Sequence, residues 1–302
     1  MNLYPFIEAE KAEHTGTVAT ACRLLEVSRS AFYEWAKHIC SKREKSSTEL
    51  GAKIIDIHKK SRHTYGSPRI TTELANQGIA VGENRVAKVM RQLSIVGRAK
   101  RRWKKTTIAD PDVTTTAVDL VKRAFGPGVR EINTVWCGDI TYVRTWVGWL
   151  YLATVIDLSS RRVVGFAMAN HMRAELVCDA LKMAIEQRQP GPGLIFHSDR
   201  GSQYTSKVFR KLMDAYGIVQ SLSRPRQCWD NAVAESWFAT LKEELIYRQA
   251  WPTLEHAKRA IFEYIEVFYN RTRLHSSLGY LTPVAYEEKH SKNLDRKEGQ
   301  AA

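Results

Sequence analysis

Val135-Trp-Cys-Gly-Asp-Ile-Thr-Tyr-Val143 reads as a β-strand with a carboxylate, Asp139, at its centre. β-Branched and aromatic residues of this kind suit a pleated, half-buried surface. Working outward, Trp136–Thr145, Trp149–Ile156 and Arg162–Ala169 form three such runs, with turn residues at Val147-Gly148 and at Ser159-Ser160-Arg161. Three consecutive antiparallel strands are expected. An amphipathic helix over Ala174–Gln189 follows, then a strand, Leu194-Ile-Phe-His-Ser-Asp199. Next come a helix over Ser206–Tyr216 stopped by Gly217, a short strand at Val219–Leu222, the helix carrying Glu235, and a helix over Thr253–Asn270. Antiparallel strands followed by helices alternating with parallel ones predict an α/β fold: a mixed sheet with helices on its faces.

Asp139, Asp199 and Glu235 are the candidate chemical residues. Two acids in or at the end of apolar strands and a third on a helix can converge on one point and hold divalent metal ions. Phosphodiester cleavage needs a deprotonated nucleophile and neutralised charge in line with it, and two Mg²⁺ ions about 3.5–4 Å apart supply both. Mg²⁺ is hard and is held by few carboxylates plus substrate phosphates. A surface position is the ordinary fate of an acid, and most of the 32 here read that way. Asp157 reads as capping the Ser159–Arg161 turn, Asp230 as an N-cap, and Glu243 and Glu244 as solvated helix charges. Gly138 and Gly201 leave room beside the acids for a DNA strand. His197, Arg200, Gln203 and Asn231 are candidates to position DNA. His275 and Trp136, Trp146, Trp149, Trp229 and Trp237 read as packing residues, with a base contact as the alternative for Trp229.

The chain has 302 residues and a net charge of +14, unevenly placed. Residues 1–130 hold 24 Lys and Arg against 13 Asp and Glu, whereas the remainder holds 22 against 19. Basic surface releases counterions from a phosphate backbone, so the front of the chain is the expected polyanion binder. Two helix-turn-helix-like segments lie there. In the first, Ala21, Leu24 and Leu25 make an apolar face, Glu26-Val27 the turn, and Ser28 the N-cap of a second helix presenting Arg29 and Tyr33. The second starts near Leu50–Arg62 and continues through Tyr65-Gly-Ser-Pro-Arg69, where Ser67 caps and Pro68 suits the first helical turn. Gly78 stops that helix. The next, Asn84–Leu93, buries Val86, Val89, Met90 and Leu93 and leaves Arg85, Lys88 and Arg91 for phosphates. Arg69 is counted with them. An arm follows, with Arg98, Lys100, Arg101, Arg102, Lys104 and Lys105 around one Trp.

Five cysteines have neither zinc nor disulfide spacing and read as reduced thiols of a cytosolic protein. No apolar run reaches the ~18 residues of a membrane span, and no signal peptide is read at the N-terminus.

Trp136-Cys-Gly-Asp-Ile-Thr-Tyr, Val155-Ile-Asp-Leu-Ser-Ser-Arg-Arg-Val-Val-Gly, His197-Ser-Asp-Arg-Gly-Ser-Gln-Tyr and Cys228-Trp-Asp-Asn-Ala-Val-Ala-Glu-Ser-Trp-Phe-Ala-Thr-Leu-Lys are joined by Tyr269-Asn-Arg-Thr-Arg-Leu-His-Ser-Ser-Leu-Gly-Tyr-Leu-Thr-Pro and His63-Thr-Tyr-Gly-Ser-Pro-Arg-Ile. On these motifs, nearly the whole chain resembles the OrfB transposases of the insertion sequence IS-3 family, in the DDE transposase and retroviral-integrase superfamily. The resemblance implies a ribonuclease-H-like core in which Asp139, Asp199 and Glu235 bind two magnesium or manganese ions. It also implies binding to terminal inverted repeats, direct attack by water or a DNA 3′-hydroxyl, and no covalent protein–DNA intermediate. It further implies a homo-oligomer on DNA, an upstream OrfA partner or OrfAB fusion, and a bacterial cytoplasmic protein that associates with the nucleoid when bound. One departure stands out: Ser223-Arg-Pro-Arg-Gln-Cys-Trp has Arg226 where the family often has glycine. No leucine-zipper heptads are present.

The expected division is a helix-turn-helix at 1–44, a second with its basic arm at 45–105, a linker at 106–130, the catalytic core with C-terminal helices at 131–289, and a disordered tail at 290–302. Two rivals fit the same residues: a non-catalytic DNA-binding remnant, and a structure-selective nuclease on the same core.

Overall fold

A computed structural model describes residues 3–13, 17–37, 42–98, 119–122, 126–224 and 231–291. The arm Lys100–Lys105, most of the expected linker, Cys40, Arg226, Cys228, Trp229, Asp230 and most of the tail lie outside them.

The first six elements are all helical: α1 (Tyr4–Glu13), α2 (Val18–Leu24), α3 (Arg29–Ala36), α4 (Lys42–Lys60), α5 (Ser67–Asn76) and α6 (Glu83–Gln92). Ser28 caps α3 as expected, its hydroxyl accepting from the Ala31 N–H, and Glu26 makes the turn at φ 55°. The small core of this first unit is Ile7, Val18, Cys22 and Phe32. Leu24, expected in it, is 75% exposed, on a side of α2 that no described residue covers. The cap of α5 is Gly66 rather than Ser67, whose hydroxyl instead donates to Glu83 Oε1 at 3.0 Å. Leu93, expected to be buried, sits past the end of α6 and is 40% exposed.

The sheet comprises β1 (Val135–Thr145), β2 (Gly148–Asp157), β3 (Val163–Ala169), β4 (Ile195–Ser198) and β5 (Val219–Leu222), in the order β3-β2-β1-β4-β5. β1, β2 and β3 pair antiparallel, and β4 and β5 add in parallel. This is the mixed α/β fold that the alternation of strand and helix patterns predicts. Helix α7 (Ala174–Arg188) and helix α8 (Lys207–Ala215) share a core with Trp136, Val155, Val164 and Phe196 on one face. A Cβ on Gly165 would come within 2.3 Å of the Ala180 carbonyl oxygen, so only glycine lets α7 lie this close to β3.

On the other face, α9 (Ala232–Glu244) and α10 (Leu254–Glu263) cover Val135, Cys137, Val143 and Leu150. The long helix expected over Thr253–Asn270 is α10 followed by a π-helical stretch, Tyr264–Tyr269. Leu50, Ile54, Ile70 and Val86 of α4–α6 belong to this same core, so the second helical unit is packed onto the sheet unit. Tyr65 anchors it: its hydroxyl donates to the Thr272 carbonyl and accepts from the Leu274 N–H. Arg62 adds an ion pair with Glu263 at 3.1 Å.

A last helix over 283–291 is held by Glu287, whose carboxylate takes Arg162 at 2.6 Å, Arg188 at 2.9 Å and the Ser160 hydroxyl at 2.7 Å. Asp157 is fully buried and caps the β2–β3 turn, accepting from the Ser159, Ser160 and Asn133 N–H groups. Cys22, Cys137 and Cys178 are free and buried. Among the described residues, no helix is long and apolar enough to cross a membrane.

Candidate active site

Strand pairing places the first two acids. β1 and β4 pair in parallel through Val135↔Ile195, Trp136↔Phe196 and Cys137↔His197. Two residues beyond the last of these pairs stand Asp139 and Asp199, near enough for the Asp199 charge to act on the Asp139 carboxyl. β4 ends at Ser198, so Asp199 begins the loop that leaves the sheet.

Alternation places the third. Side chains two apart on a strand share a face, so Asp139 opens on the side of Cys137 and Val143. Those two pack with Val233, Ala234 and Trp237 of α9. The helix carrying Glu235 therefore covers the face from which Asp139 emerges, while Glu235 itself stays exposed.

Each aspartate is oriented by the backbone next to it. Asp139 Oδ1 accepts from the Ile140 N–H at 2.8 Å, and Asp199 Oδ1 from the Gly201 N–H at 2.9 Å. A Cβ on Gly201 would press to 3.0 Å from that same Asp199 oxygen. Gly138 has a different role from the one expected. Its missing side chain makes room not for DNA but for the Phe196 ring, which a Cβ would meet at 2.4 Å, and for the Tyr204 hydroxyl at 3.2 Å.

The electrostatics couple the acids. Burial, then the Asp199 charge, and more weakly that of Glu235, push the Asp139 carboxyl up to about 7, against the Ile140 N–H and Lys242. Burial raises Asp199 against the Gly201 N–H and His197, and partial desolvation raises the otherwise exposed Glu235 carboxyl. Charges that disfavour one another in a partly dry site are stabilised by an added cation. Among the described residues, no three His, Cys, Asp or Glu side chains already form a cage for a metal ion. The donors nonetheless have the right chemistry for one: hard carboxylate oxygens on separate elements, two of them adjacent and short of positive charge.

Lys242 went unnoticed in the sequence. It lies seven residues beyond Glu235, two turns on along the same side of α9. Burial draws its ammonium below the ordinary value, against the attraction of Asp139. Glu244 was misread. Far from being solvated, it is 5% exposed and grips Arg273 through Nη2 at 2.7 Å and Nε at 2.8 Å, with the Tyr264 hydroxyl donating at 2.7 Å. His275 packs edge-on to Tyr269, as a packing residue should.

The residues expected at DNA are scattered. Arg29 and Tyr33 are exposed on α3, and Arg85, Lys88 and Arg91 on α6, where Arg85 also donates to the Ser46 hydroxyl at 2.9 Å. Arg98 is exposed beyond α6. Arg69 turns inward, its guanidinium over the Tyr65 ring at 5.4 Å and 4.0 Å from Glu244. Arg200 donates to the Ser223 carbonyl at 2.8 Å. Asn231 is buried, its amide reaching the Gly138 carbonyl at 3.5 Å. His197 is wholly buried between the Ser221 and Ser223 hydroxyls, so it braces β4 and β5 and does not face DNA. Trp136 and Trp237 are core residues, whereas Trp146 and Trp149, also expected to pack, are 75% and 43% exposed at the β1–β2 turn.

Comparison with known proteins agrees with this architecture. Residues 129–228 match the Integrase core domain, residues 216–283 a second Integrase core domain description, and residues 45–103 the HTH-like domain. The chain is 40% identical over 269 residues to the Insertion element IS600 uncharacterized 31 kDa protein of Shigella sonnei, covering 89% of this chain and 98% of that one. It is 36% identical over 293 residues to Transposase InsF for insertion sequence IS3A of Escherichia coli (strain K12), covering 95% and 99%. The HTLV-2 integrase catalytic core domain in complex with magnesium is 18% identical, with a TM-score of 0.39, over 54% of this chain and 99% of that one.

Proposed function

Because the chain belongs to the IS3 family of insertion-sequence transposases, we propose that it binds the terminal inverted repeats of its element and catalyses metal-dependent cleavage and strand transfer at their ends. The observation that carries this reading is the proximity of Asp139, within β1, to Asp199, just past the end of the parallel strand β4: the charge of Asp199 disfavours that of Asp139, which a cation between them would relieve.

Asp139, Asp199 and Glu235 would hold a pair of magnesium or manganese ions, which when bound supply an activated attacking oxygen and neutralise charge on the leaving one. The chain's own groups do the rest. The Ile140 and Gly201 N–H groups each hold one oxygen of their aspartate, which leaves the other for a cation. Lys242, drawn toward Asp139, offers positive charge to a substrate phosphate. Asn231 braces the Gly138 carbonyl, which steadies the start of α9 against β1. Water, or a 3′-hydroxyl of DNA, attacks directly, with no covalent protein intermediate.

The helical front of the chain supplies the hold on DNA, in the divisions 1–44 and 45–105. Exposed Arg29, Tyr33, Arg85, Lys88, Arg91 and Arg98 are its contacts, with the arm Lys100–Lys105 continuing from them. The working form is a homo-oligomer that pairs two element ends in the bacterial cytoplasm, with OrfA supplied separately or fused.

Labelled end DNA incubated with protein and Mg²⁺ is the test. Joined product is expected. Hydrolysis without joining would mean a nuclease, and a shifted but intact probe a silent binder; either would overturn the proposal.

A further inference from the structure

β1 has eleven residues, but β4 pairs with it only through Cys137. Beyond Cys137 no described strand pairs with this edge of β1, and a groove of about 690 Å³ runs between the outer half of β1–β2 and the end of α9 with the 3-10 turn Ile246–Arg248. Its walls combine rings and cations. Arg144 lies opposite Trp149 in the β1–β2 ladder, with its guanidinium 5.7 Å from that ring. Tyr142 meets Trp149 edge-on at 5.2 Å, and Lys242 Nζ stands 5.6 Å from the Tyr142 ring. Trp146 is 75% exposed and Tyr247 67%, although aromatic rings of this size normally seek cover. The Trp146 N–H donates to the Trp251 carbonyl at 3.0 Å, so the turn is tied to the opposite wall.

We infer that this groove is a binding site for unpaired nucleotides of a DNA end, with bases stacking on Trp146, Trp149 and Tyr247 and phosphates meeting Arg144 and Lys242. A positive channel lined with aromatic faces is what single-stranded nucleic acid requires, since every base has a π-face. Among the described residues, no acidic side chain lines the groove, which favours a polyanion over a protein surface of mixed charge. Continuity adds to this: Lys242 is shared between the groove and the field of Asp139, so a strand leaving the acids enters the rings directly. The site rests on the reading of the chain as an enzyme of DNA ends and extends it by naming where melted nucleotides go.

The test is equilibrium binding by the full chain in EDTA, where no chemistry is needed. The probes are a blunt end duplex and the same duplex with a short single-stranded oligothymidine tail. Trp146→Ala and Tyr247→Ala alter exposed side chains and leave the cores intact. Each is expected to weaken the tailed probe roughly five- to hundredfold, the loss of one stacked base, and to leave the blunt probe unchanged. Trp146→Phe is expected to restore most of the preference. Equal losses on both probes, no loss on either, or a change of oligomeric state in sedimentation without a change in tail preference would each overturn the inference. Failure of Asp199→Asn to stop strand transfer would instead strike the active-site reading and leave this binding result standing.

Discussion

Burial, and the charge of Asp199 just past the end of β4, push the Asp139 carboxyl up to about 7. A carboxyl whose folded value is raised favours the folded state while protonated. Its contribution is complete below about 4, the unfolded value, and is lost as pH rises through about 7. The metal-free protein is therefore expected to lose stability across that window. Asp139→Asn should flatten the loss and raise the melting temperature at pH 8 without metal. Mg²⁺ should stabilise the wild-type protein at pH 8, and the variant less. Thermal melts from pH 4 to 8, with and without Mg²⁺, measure all of this; identical pH profiles for the two proteins would refute the coupling.

Asp199→Asn keeps the size of the side chain and can still accept from the Gly201 N–H. It removes one negative charge from the candidate metal site. Strand transfer should fall by several orders of magnitude, while the affinity for end DNA in EDTA stays within about twofold. Retained joining would take Asp199 out of the mechanism.

What the sequence made legible follows from periodicity. Alternation along Val135–Val143 fixes a strand and the face of Asp139, and the three antiparallel runs were found within a residue or two of their observed ends. Register is less accessible, because a sequence does not state which residue of Leu194–Asp199 lies beside Asp139. Partners distant in the chain were invisible for the same reason. Glu244 looks solvated on its own helix, since Arg273 and Tyr264 arrive from 29 and 20 residues away. Leu24 and Leu93 show the converse: a helical period names a face but not whether anything covers it. Trp146 and Trp149 read as packing residues because a tryptophan usually packs, but they stand at the β1–β2 turn, where both are exposed.

Glu244 and Arg273 form a bidentate pair that joins α9 to the segment after the π-helical stretch. Burial raises the Glu244 carboxyl, but the Arg273 charge, its hydrogen bonds and the Tyr264 hydroxyl outweigh that and hold it below the ordinary value. Glu244→Gln leaves a buried guanidinium uncompensated and should cost about 3–5 kcal/mol in denaturant unfolding. Replacing both partners with methionine should recover much of that loss. A double variant as unstable as the single one would mean that the pair is not the source.

Arg85, Lys88 and Arg91 stand on the exposed side of α6, whereas Arg69, nearby on α5, turns inward to Tyr65 and Glu244. Phosphate contacts release counterions, so each one lost lowers the slope of log affinity against log salt by about 0.9. Alanine at each of the three α6 positions should therefore reduce the slope by that step and weaken all duplexes alike, since phosphate contacts carry no base identity. Arg69→Ala should leave the slope alone and lower the melting temperature instead, because it strips a guanidinium from the buried Glu244 cluster. Titrations at several salt concentrations separate the two classes. A slope change on Arg69→Ala together with none on the α6 variants would reverse the assignment of the DNA-facing side.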